Sequence, residues 1–331
     1  MALSFRFTAH SEVGLVRKNN QDSAYASPDM LMVADGMGGA AAGDLASAVA
    51  VAALAATDAE LPARRAAAAE RGRPVVAPEL PDGPAGDVLA VLAETLAEAN
   101  RHLNALVAAD PALEGMGTTV CGFALVDDTE VAVVNIGDSR AYLLRDGVLT
   151  RVSRDHSWVQ TLVDQGRISE REALEHPHRS LILRVLNGKP QHEPDLTVLT
   201  VRPGDRLLVC SDGLCGLVTD ADIAGPAAID DREAAVATLV DLAHEAGGYD
   251  NITLVLADVV AHAREAALQP CTDARSGRAV VLVTSWGEAL AFHEECGAFT
   301  QVAYAPRGDP VTRIWEPSPP VRRLLESVFA R

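Results

Sequence analysis

Short apolar runs recur along residues 1–260, and most are rich in leucine or in β-branched residues. Each run is bounded by Gly, Asp, Asn or Ser, which is typical of strands. Where only Asp-Asp or Asp-Gly separates two runs, the pattern predicts an antiparallel hairpin. The predicted strands lie in MLMVAD (30–35), TTVCGFALVDD (118–128), EVAVVNIGDS (130–139), AYLLRDGVLTRVS (141–153), DLTVLTV (195–201), DRLLVCSDG (205–213) and NITLVLADVV (251–260).

Four other segments have the apolar spacing of amphipathic helices. Between the first two, residues 61–86 contain five prolines without periodicity, which predicts an exposed, mobile connection. Adjoining hairpins interrupted by long helices favour an α+β fold, with sheets packed together and helices outside, over a doubly wound parallel sheet. The predicted helices lie in GDLASAVAVAALAA (43–56), GDVLAVLAETLAEANRHLNALVAA (86–109), DHSWVQTLVDQG (155–166) and REAAVATLVDLAHEAG (232–247).

The pattern changes after residue 260, which predicts a domain of residues 1–260 and a small C-terminal appendage of unknown role, residues 261–331. In the appendage, AVVLVT is a strand candidate that could extend a sheet edge, and GEALAFHEE is a short helix candidate. The final VRRLLESVFAR is predicted to form an amphipathic helix, with an unstructured tail as the alternative.

The net charge of −18 is unevenly distributed along the 331 residues. Residues 262–331 hold eight Arg and eight acidic side chains, whereas residues 1–261 hold 20 basic and 38 acidic ones. An acidic surface repels phosphates, so the composition argues against binding of nucleic acid. It suits divalent cations or basic partners, or it serves only to keep the protein soluble.

The chain is expected to be soluble and cytoplasmic. No apolar run approaches the roughly 18 residues of a membrane span, and the N-terminus MALSFRFTAHSE lacks the features of a secretory signal. The cysteines form no C-x-x-C pair, and we expect reduced, mostly buried thiols. They are Cys121, Cys210, Cys215, Cys271 and Cys296.

Aspartates stand at the ends of several predicted strands. Asp35, Asp138 and Asp212 follow apolar runs, Asp250 precedes one, and Asp22 stands before another short apolar segment. Any one of them alone is typical of a turn residue that caps backbone N–H groups. Five of them together favour convergence on one edge of a sheet sandwich.

Clustered carboxylates require neutralisation, because two unit charges 4 Å apart repel by about 4 kcal/mol at an effective dielectric near 20. Bound protons or cations can supply it, and Mg²⁺ or Mn²⁺ prefers carboxylate, carbonyl and water oxygens. No His or Cys has zinc-like spacing. Gly36 has no side chain, so its carbonyl could turn toward a metal.

Seven motifs occur in the order and rough spacing found in one enzyme family. Through them, residues 5–260 resemble the metal-dependent PPM-type (type 2C) Ser/Thr protein phosphatases, most closely the bacterial branch. The resemblance implies a four-layer αββα sandwich, in which two central antiparallel sheets are flanked by helices, and a binuclear Mn²⁺ or Mg²⁺ centre at one edge. The motifs are GLVRKNNQDS (14–23), LMVADGMGGAAAGDLAS (31–47), GTTVCG (117–122), NIGDSRAYLLRDG (135–147), DHS (155–157), LLVCSDGL (207–214) and GGYDNITLVL (247–256).

The resemblance implies a role for each matching ligand position. Asp35 would bridge the two metals, and the Gly36 carbonyl would complete the shell of one of them. Asp212 and Asp250 would hold the other metal, while Asp22 would bind through water. The catalytic set carried over in this way is Arg17, Asp22, Asp35 and Asp212.

Three further positions also match. Arg17 would bind the substrate phosphate, for which its planar fork is suited. Asp138, with Asp212, would recruit a third, weaker metal. Residues 155–188 fall where bacterial members carry a flap beside the site.

The implied reaction is hydrolysis of phosphoserine or phosphothreonine in proteins by water that two metals activate, without a phosphoenzyme. Phosphorylated proteins, and a cognate Ser/Thr kinase and its targets, would be the partners in signalling; we expect a monomer and no membrane or nucleic acid partner. A non-catalytic phosphoprotein sensor of the same fold is the alternative, although every expected carboxylate is present. Structural Ca²⁺ sites are a third interpretation, against which the absence of a D-x-D-x-D-G loop counts.

Two positions depart from the eukaryotic pattern. Met37 stands where those relatives have the His proposed to protonate the leaving alkoxide, and a thioether cannot donate a proton. His156 is a candidate substitute, but a structural role at the base of the flap is favoured. Gln21 replaces a Glu and can still orient a water molecule.

Overall fold

The structure is a computed structural model that describes residues 2–38, 42–71, 81, 83–190 and 192–262, and the backbone of four strands beyond them. The longer strands before residue 263 are β1 (Ala2–Glu12), β2 (Ser23–Ala26), β3 (Met30–Ala34), β6 (Val120–Leu125), β7 (Glu130–Ile136), β8 (Arg140–Arg145), β9 (Val148–Arg151), β10 (Asp195–Thr200), β11 (Arg206–Cys210) and β12 (Ile252–His262). The short pair is β4 (Gly36–Met37) and β5 (Gly117–Thr118), and the last four strands are β13 (Val280–Thr284), β14 (Glu288–His293), β15 (Ala298–Ala303) and β16 (Val311–Ile314).

The described helices are α1 (Gly43–Arg71), α2 (Pro84–Ala109), α3 (Trp158–Asp164), α4 (Glu170–Leu174), α5 (Asp212–Cys215), α6 (Asp220–Ala227) and α7 (Arg232–Glu245), with a 3-10 turn at Pro111–Leu113. Side-chain caps begin several of them: the Ser157 hydroxyl accepts from Gln160 N–H, and the Asp231 carboxylate accepts from Ala234 N–H. No described helix combines the length and the hydropathy that a membrane crossing needs.

The strands form two main sheets in which every pairing is antiparallel. The five-stranded sheet has the order β1-β12-β11-β8-β9, and the nine-stranded sheet has the order β10-β7-β6-β3-β2-β13-β14-β15-β16. Both predicted hairpins are present, β6 with β7 and β8 with β9. In the second, Asp146 and Gly147 both have positive φ, as a tight two-residue hairpin turn requires.

Three apolar layers hold the molecule together and make it a four-layer αββα sandwich. In β3, Met30 and Met32 pack toward α1 and α2, while Leu31 and Val33 pack toward the other sheet. A strand buried on both faces is apolar throughout, which explains the continuous run before Asp35. On the far side, α5, α6 and α7 cover the five-stranded sheet. The predicted fold class is confirmed.

Three local predictions need correction. α1 continues through the first part of the connection predicted for residues 61–86, because the alanines after Pro62 have high helix propensity; residues 72–80 and 82 lie outside the described part. GEALAFHEE contains the strand β14 and not a helix, since small and large residues alternate there with a period of two. The strand β1 was missed because it contains no continuous apolar run; its apolar residues alternate with polar Ser, Arg, Thr and His, the pattern of a strand with one apolar face.

The C-terminal predictions have mixed outcomes. AVVLVT contains β13, which pairs with β2 and extends the nine-stranded sheet as expected. VRRLLESVFAR lies outside the described residues. β12 runs to His262, two residues past the predicted boundary, and the division into two domains stays a prediction. Cys121, Cys210 and Cys215 are buried free thiols as predicted; the other two cysteines are outside the described residues.

Candidate metal centre and phosphate site

Five aspartates from both sheets meet at one edge of the sandwich. From the nine-stranded sheet, Asp22 directly precedes β2, Asp35 directly follows β3, and Asp138 follows β7. From the five-stranded sheet, Asp212 begins α5 just after β11, and Asp250 stands just before β12. The site therefore exists only where the two sheets face each other.

The pKa values record this convergence. Burial is the main factor that raises the pKa of Asp35 well above its ordinary value, and the carboxylates of Asp22, Asp212, Asp138 and Asp250 raise it further. Burial, with repulsion from Asp212 and Asp250, raises the pKa of Asp22 to about 7, against hydrogen bonds that lower it. The pKa of Asp212 rises to about 6 through burial and the charge of Asp250. The site as it stands favours bound protons or cations.

The carboxylates lie within electrostatic range without forming a complete ligand set. Among the side chains of residues 2–38, 42–71, 83–190 and 192–262 that the structure describes, no group of three or more His, Cys, Asp and Glu is arranged to hold a metal. The convergence is thus a property of the fold, while the metal-binding role of each carboxylate stays a prediction.

Hydrogen bonds from neighbouring strands fix the carboxylates on the nine-stranded sheet. Asp22 is 1% exposed and accepts from the Ser211 hydroxyl at 2.8 Å, a bond that joins the two sheets. The backbone of Asp35 is held on both sides, because its N–H donates to Thr119 Oγ1 and its carbonyl accepts from Thr118 Oγ1. Asp138 is 7% exposed, and its Oδ1 has no hydrogen-bond partner among the described residues.

Gly36 is required by its surroundings. A Cβ on Gly36 would lie 2.1 Å from the Gly43 carbonyl oxygen and 2.4 Å from that of Gln21. No side chain fits between these two backbone groups, which join the start of α1 to the loop before Asp22. The glycine therefore allows the backbone beside Asp35 to pack directly against the two neighbouring backbone segments; the orientation of its carbonyl toward a metal stays a prediction.

Arg17 lies beside the carboxylates on an exposed loop. Its Nη2 donates to Asp250 Oδ2 at 2.5 Å, and its side chain is about half exposed. The hydrogen bond to Asp250 is the main factor that raises the pKa of Arg17, with smaller contributions from the charges of Asp212 and Asp35. A guanidinium has five N–H donors, so donors remain for a phosphate.

Asn251 fastens this loop to the site. Its Oδ1 accepts from the Gln21 N–H at 2.8 Å, and its Nδ2 donates to the carbonyls of Val13 and Asn19. Arg17 lies between these anchored points. One amide side chain therefore positions both the loop that carries Arg17 and the entry to Asp22.

His156 has a structural role at the base of the flap, the name used here for residues 155–188. Its Nδ1 accepts from the Gly137 N–H at 3.2 Å, and its Nε2 is 3.0 Å from Asp195 Oδ2. Burial lowers its pKa overall. Because both ring nitrogens are engaged, His156 holds the flap against the turn before Asp138 and is not placed to protonate a leaving group.

Two arginines near the carboxylates were missed by sequence reasoning. Arg179 in the flap lines the same cleft as Asp138, Asp212 and Asp250, and its charge lowers the pKa of Asp212. Arg140 is bidentate to the buried Asp155 at 2.8–3.0 Å and also donates to the Cys215 carbonyl. In the sequence, only its place in the NIGDSRAY motif indicated a role for Arg140. For Arg179, the sequence offered nothing beyond the polar character of the flap.

Comparison of the sequence with known proteins identifies the family. Residues 8–228 match the family Protein phosphatase 2C. The serine/threonine protein phosphatase PstP of Mycobacterium tuberculosis is 45% identical over 260 residues, covering 78% of this chain and 46% of that protein. The serine/threonine phosphatase stp of Listeria innocua is 32% identical over 254 residues, covering 74% of this chain and 92% of the relative.

Solved structures agree with the sequence relatives. The crystal structure of the M. tuberculosis phosphatase PstP/Ppp superposes with a TM-score of 0.67 at 44% identity, covering 79% of this chain and all of that one. The catalytic domain of PstP in complex with two manganese ions gives a TM-score of 0.66 at 42% identity, covering 78% of this chain and all of that one. The chain belongs to the protein phosphatase 2C family, as the motifs predicted. It spans about half the length of the mycobacterial relatives it matches.

Proposed function

We propose that the protein is a metal-dependent serine/threonine protein phosphatase. The observation that carries this proposal is the convergence of five aspartates from both sheets beside Arg17, which pairs with Asp250 and keeps further N–H donors for a phosphate. Membership of the phosphatase family and the titles of the relatives support it.

The residues at the sheet edge fit divalent cations. Their donors are carboxylates and backbone carbonyls, which Mn²⁺ and Mg²⁺ prefer. Burial first and mutual repulsion second raise the pKa values of Asp22, Asp35 and Asp212, as expected for buried carboxyl groups whose ionised forms neighbouring cations do not fully stabilise. The unpartnered Oδ1 of Asp138 is a further acceptor aimed at no donor among the described residues. Small side-chain rotations would be needed to complete a ligand set, since none is complete here.

Asp35 and the Gly36 carbonyl, with Asp212 and Asp250, would hold two Mn²⁺ or Mg²⁺ ions, and Asp22 would take part through water. When bound, the two ions supply an activated water and stabilise charge on the phosphoryl group. Asp138 with Asp212 would hold a third ion more weakly. The structure of PstP with two manganese ions supports this count for the tight sites.

The protein's own cations would orient the substrate. Arg17 presents its fork at the exposed side of the carboxylate cluster, where it would bind two phosphate oxygens. Arg179 lines the same cleft as Asp250 and adds a second positive charge from the flap. Ser211 keeps Asp22 in place from the opposite sheet, so the two halves of the site keep a fixed separation.

The substrates would be phosphorylated proteins, among them a cognate Ser/Thr kinase and its targets, which places the protein in signalling. We also propose a monomer that acts in the cytoplasm without membrane partners; the net acidic charge of residues 1–261 disfavours nucleic acid as a partner.

The test is phosphate release by the purified protein from a phosphothreonine peptide and a matched phosphotyrosine peptide. We expect hydrolysis of the first in Mn²⁺ or Mg²⁺, loss in EDTA, and persistence with inhibitors of zinc/iron phosphatases. Asp35→Asn, which keeps the shape of the side chain, should abolish turnover. Full activity in EDTA would contradict the metal mechanism, and binding of the peptide without hydrolysis would support the sensor instead.

A further inference from the structure

The entrance to the candidate site has an apolar rim, defined here as Leu15, Val16 and Tyr249. Their side chains are 63%, 60% and 55% exposed, respectively. Of the large hydrophobic side chains described by the structure, three others are also exposed: Leu181 and Leu183 on the flap, and Val148 in the β8–β9 hairpin. Five of these six side chains thus lie in the flap or in the two loops that carry Arg17 and Asp250, and exposed apolar side chains grouped beside a site mark an interaction surface.

The rim is one continuous surface built from two loops. Leu15 N–H donates to the Gly248 carbonyl at 2.8 Å, and a Cβ on Gly248 would lie 2.8 Å from Leu15 Cγ. A Cβ on Gly247 would lie 2.4 Å from the ring of Tyr249. Leu15 and Tyr249 therefore both lie on a glycine backbone that has no side chains of its own, and positive φ at both glycines fits this conformation.

The rim adjoins the proposed phosphate site through both loops. Leu15 and Val16 immediately precede Arg17, Tyr249 immediately precedes Asp250, and Arg17 pairs with Asp250. Tyr249 also lines the cleft that contains Asp138. Consecutive Cα atoms are about 3.8 Å apart, so a residue one or two positions from a bound phosphoresidue lies within reach of the rim.

We propose that the apolar rim binds an apolar side chain of the phosphoprotein substrate, located within two residues of the phosphorylated Ser or Thr. This inference rests on the proposed phosphatase function and adds a sequence preference to it. A substrate is the ligand that best fits the rim, because Tyr249 belongs to the rim and also lines the cleft that contains the aspartates. A second copy or the C-terminal segment seated on the rim would obstruct the cleft that the aspartates line.

The test compares phosphothreonine peptides that carry either leucine or serine at each of the two positions on either side of the phosphothreonine. For at least one position we expect a kcat/KM about tenfold higher with leucine, as is usual for one apolar contact. In Leu15→Ser, and in the double variant Leu15→Ser/Tyr249→Ser, this preference should fall toward one. Val148→Ser, an equally exposed substitution away from the cleft, should keep the wild-type ratio.

The outcomes are distinguishable. The proposed role of the rim would be refuted if the wild-type protein had equal kcat/KM for the leucine and serine peptides, or if both rim variants kept the wild-type preference. Either result would leave the phosphatase function intact. A wild-type dimer that dissociates in the double variant would assign the rim to a second copy and overturn the proposal. Failure to release phosphate from any peptide would overturn the proposed function together with it.

Discussion

Removal of divalent ions should make the stability of the fold strongly dependent on pH, and Asp22 gives the clearest case. Its carboxyl group is 1% exposed, and its pKa rises from the ordinary 3.8 to about 7, first because of burial. The folded protein therefore holds this proton more tightly than the unfolded chain. Its contribution to stability is fully present below about pH 4 and is lost as the pH rises to about 7.

The magnitude follows from the size of the shift. Three pKa units correspond to about 4 kcal/mol at about 1.4 kcal/mol per unit, and about two of these units fall between pH 5 and 7.5. Asp22 alone should thus reduce the free energy of unfolding by on the order of 3 kcal/mol across that interval. For a domain of this size, the expected fall in Tm is about 6 to 12 °C.

Thermal unfolding followed by circular dichroism in EDTA, at pH steps from 5 to 8, measures this fall. Asp22→Asn is the matched control, because an asparagine oxygen can still accept from the Ser211 hydroxyl but carries no charge. The variant should lose the part of the pH slope that Asp22 contributes, while the raised pKa values of Asp35 and Asp212 maintain the remainder. With Mn²⁺ present, the wild-type protein should gain stability as the pH rises, since binding requires ionised carboxylates.

A Tm in EDTA that is flat or rises from pH 5 to 7.5 would refute the raised pKa of Asp22. An undiminished slope in Asp22→Asn would refute it as well, because the titrating groups would then lie elsewhere. A dependence of Tm on pH that is present in the wild-type protein and reduced in Asp22→Asn would assign the lost part to the Asp22 carboxyl group.

Three further outcomes are expected. Arg17→Ala should lower kcat/KM for phosphopeptide by roughly 10- to 100-fold, the value of a charge-assisted contact, with nearly unchanged metal affinity; loss of metal binding would make Arg17 structural. Asp138→Ala should keep two tight Mn²⁺ sites in calorimetry and lose most turnover, and disappearance of a tight site would contradict its assignment to the weaker ion. A chain ending at His262 should fold and hydrolyse p-nitrophenyl phosphate at a rate close to that of the full chain, because β12 is then complete; insoluble protein would place the appendage within the core.

The sequence predicted the features that depend on local patterns. Asp35 and Asp212 stand after strongly apolar strands, so their positions at a sheet edge followed directly. β1 was not recognised in the same way, because it is an outer strand without a continuous apolar run, and among its described apolar side chains only Leu3 and Phe5 are buried. GEALAFHEE is short, so its alternation of small and large residues, which favours a strand, competes with its helix propensity.

Local sequence patterns could not predict contacts between segments that are distant in the chain. Arg179 meets Asp212 only because the flap folds back over the cleft, and no periodicity encodes that return. Asn251 looked like an ordinary turn residue, although its side chain fastens the loop around Arg17. His156 was a candidate acid to replace the missing His at Met37, with a structural role favoured, and the hydrogen bonds at both of its ring nitrogens support the structural role.

The pairing of β1 with β12 has a consequence for synthesis of the protein. All eleven residues of β1 pair with β12, from Ala2 with His262 to Glu12 with Ile252. β1 must therefore wait for β12, whose residues are made roughly 12 to 50 s later at ordinary rates of translation. Asp250, two residues before β12, leaves the ribosome at about the same time. A nascent chain consequently cannot assemble the five aspartates at the sheet edge until β12 has been made and has paired with a strand that has waited unpartnered since the start of synthesis.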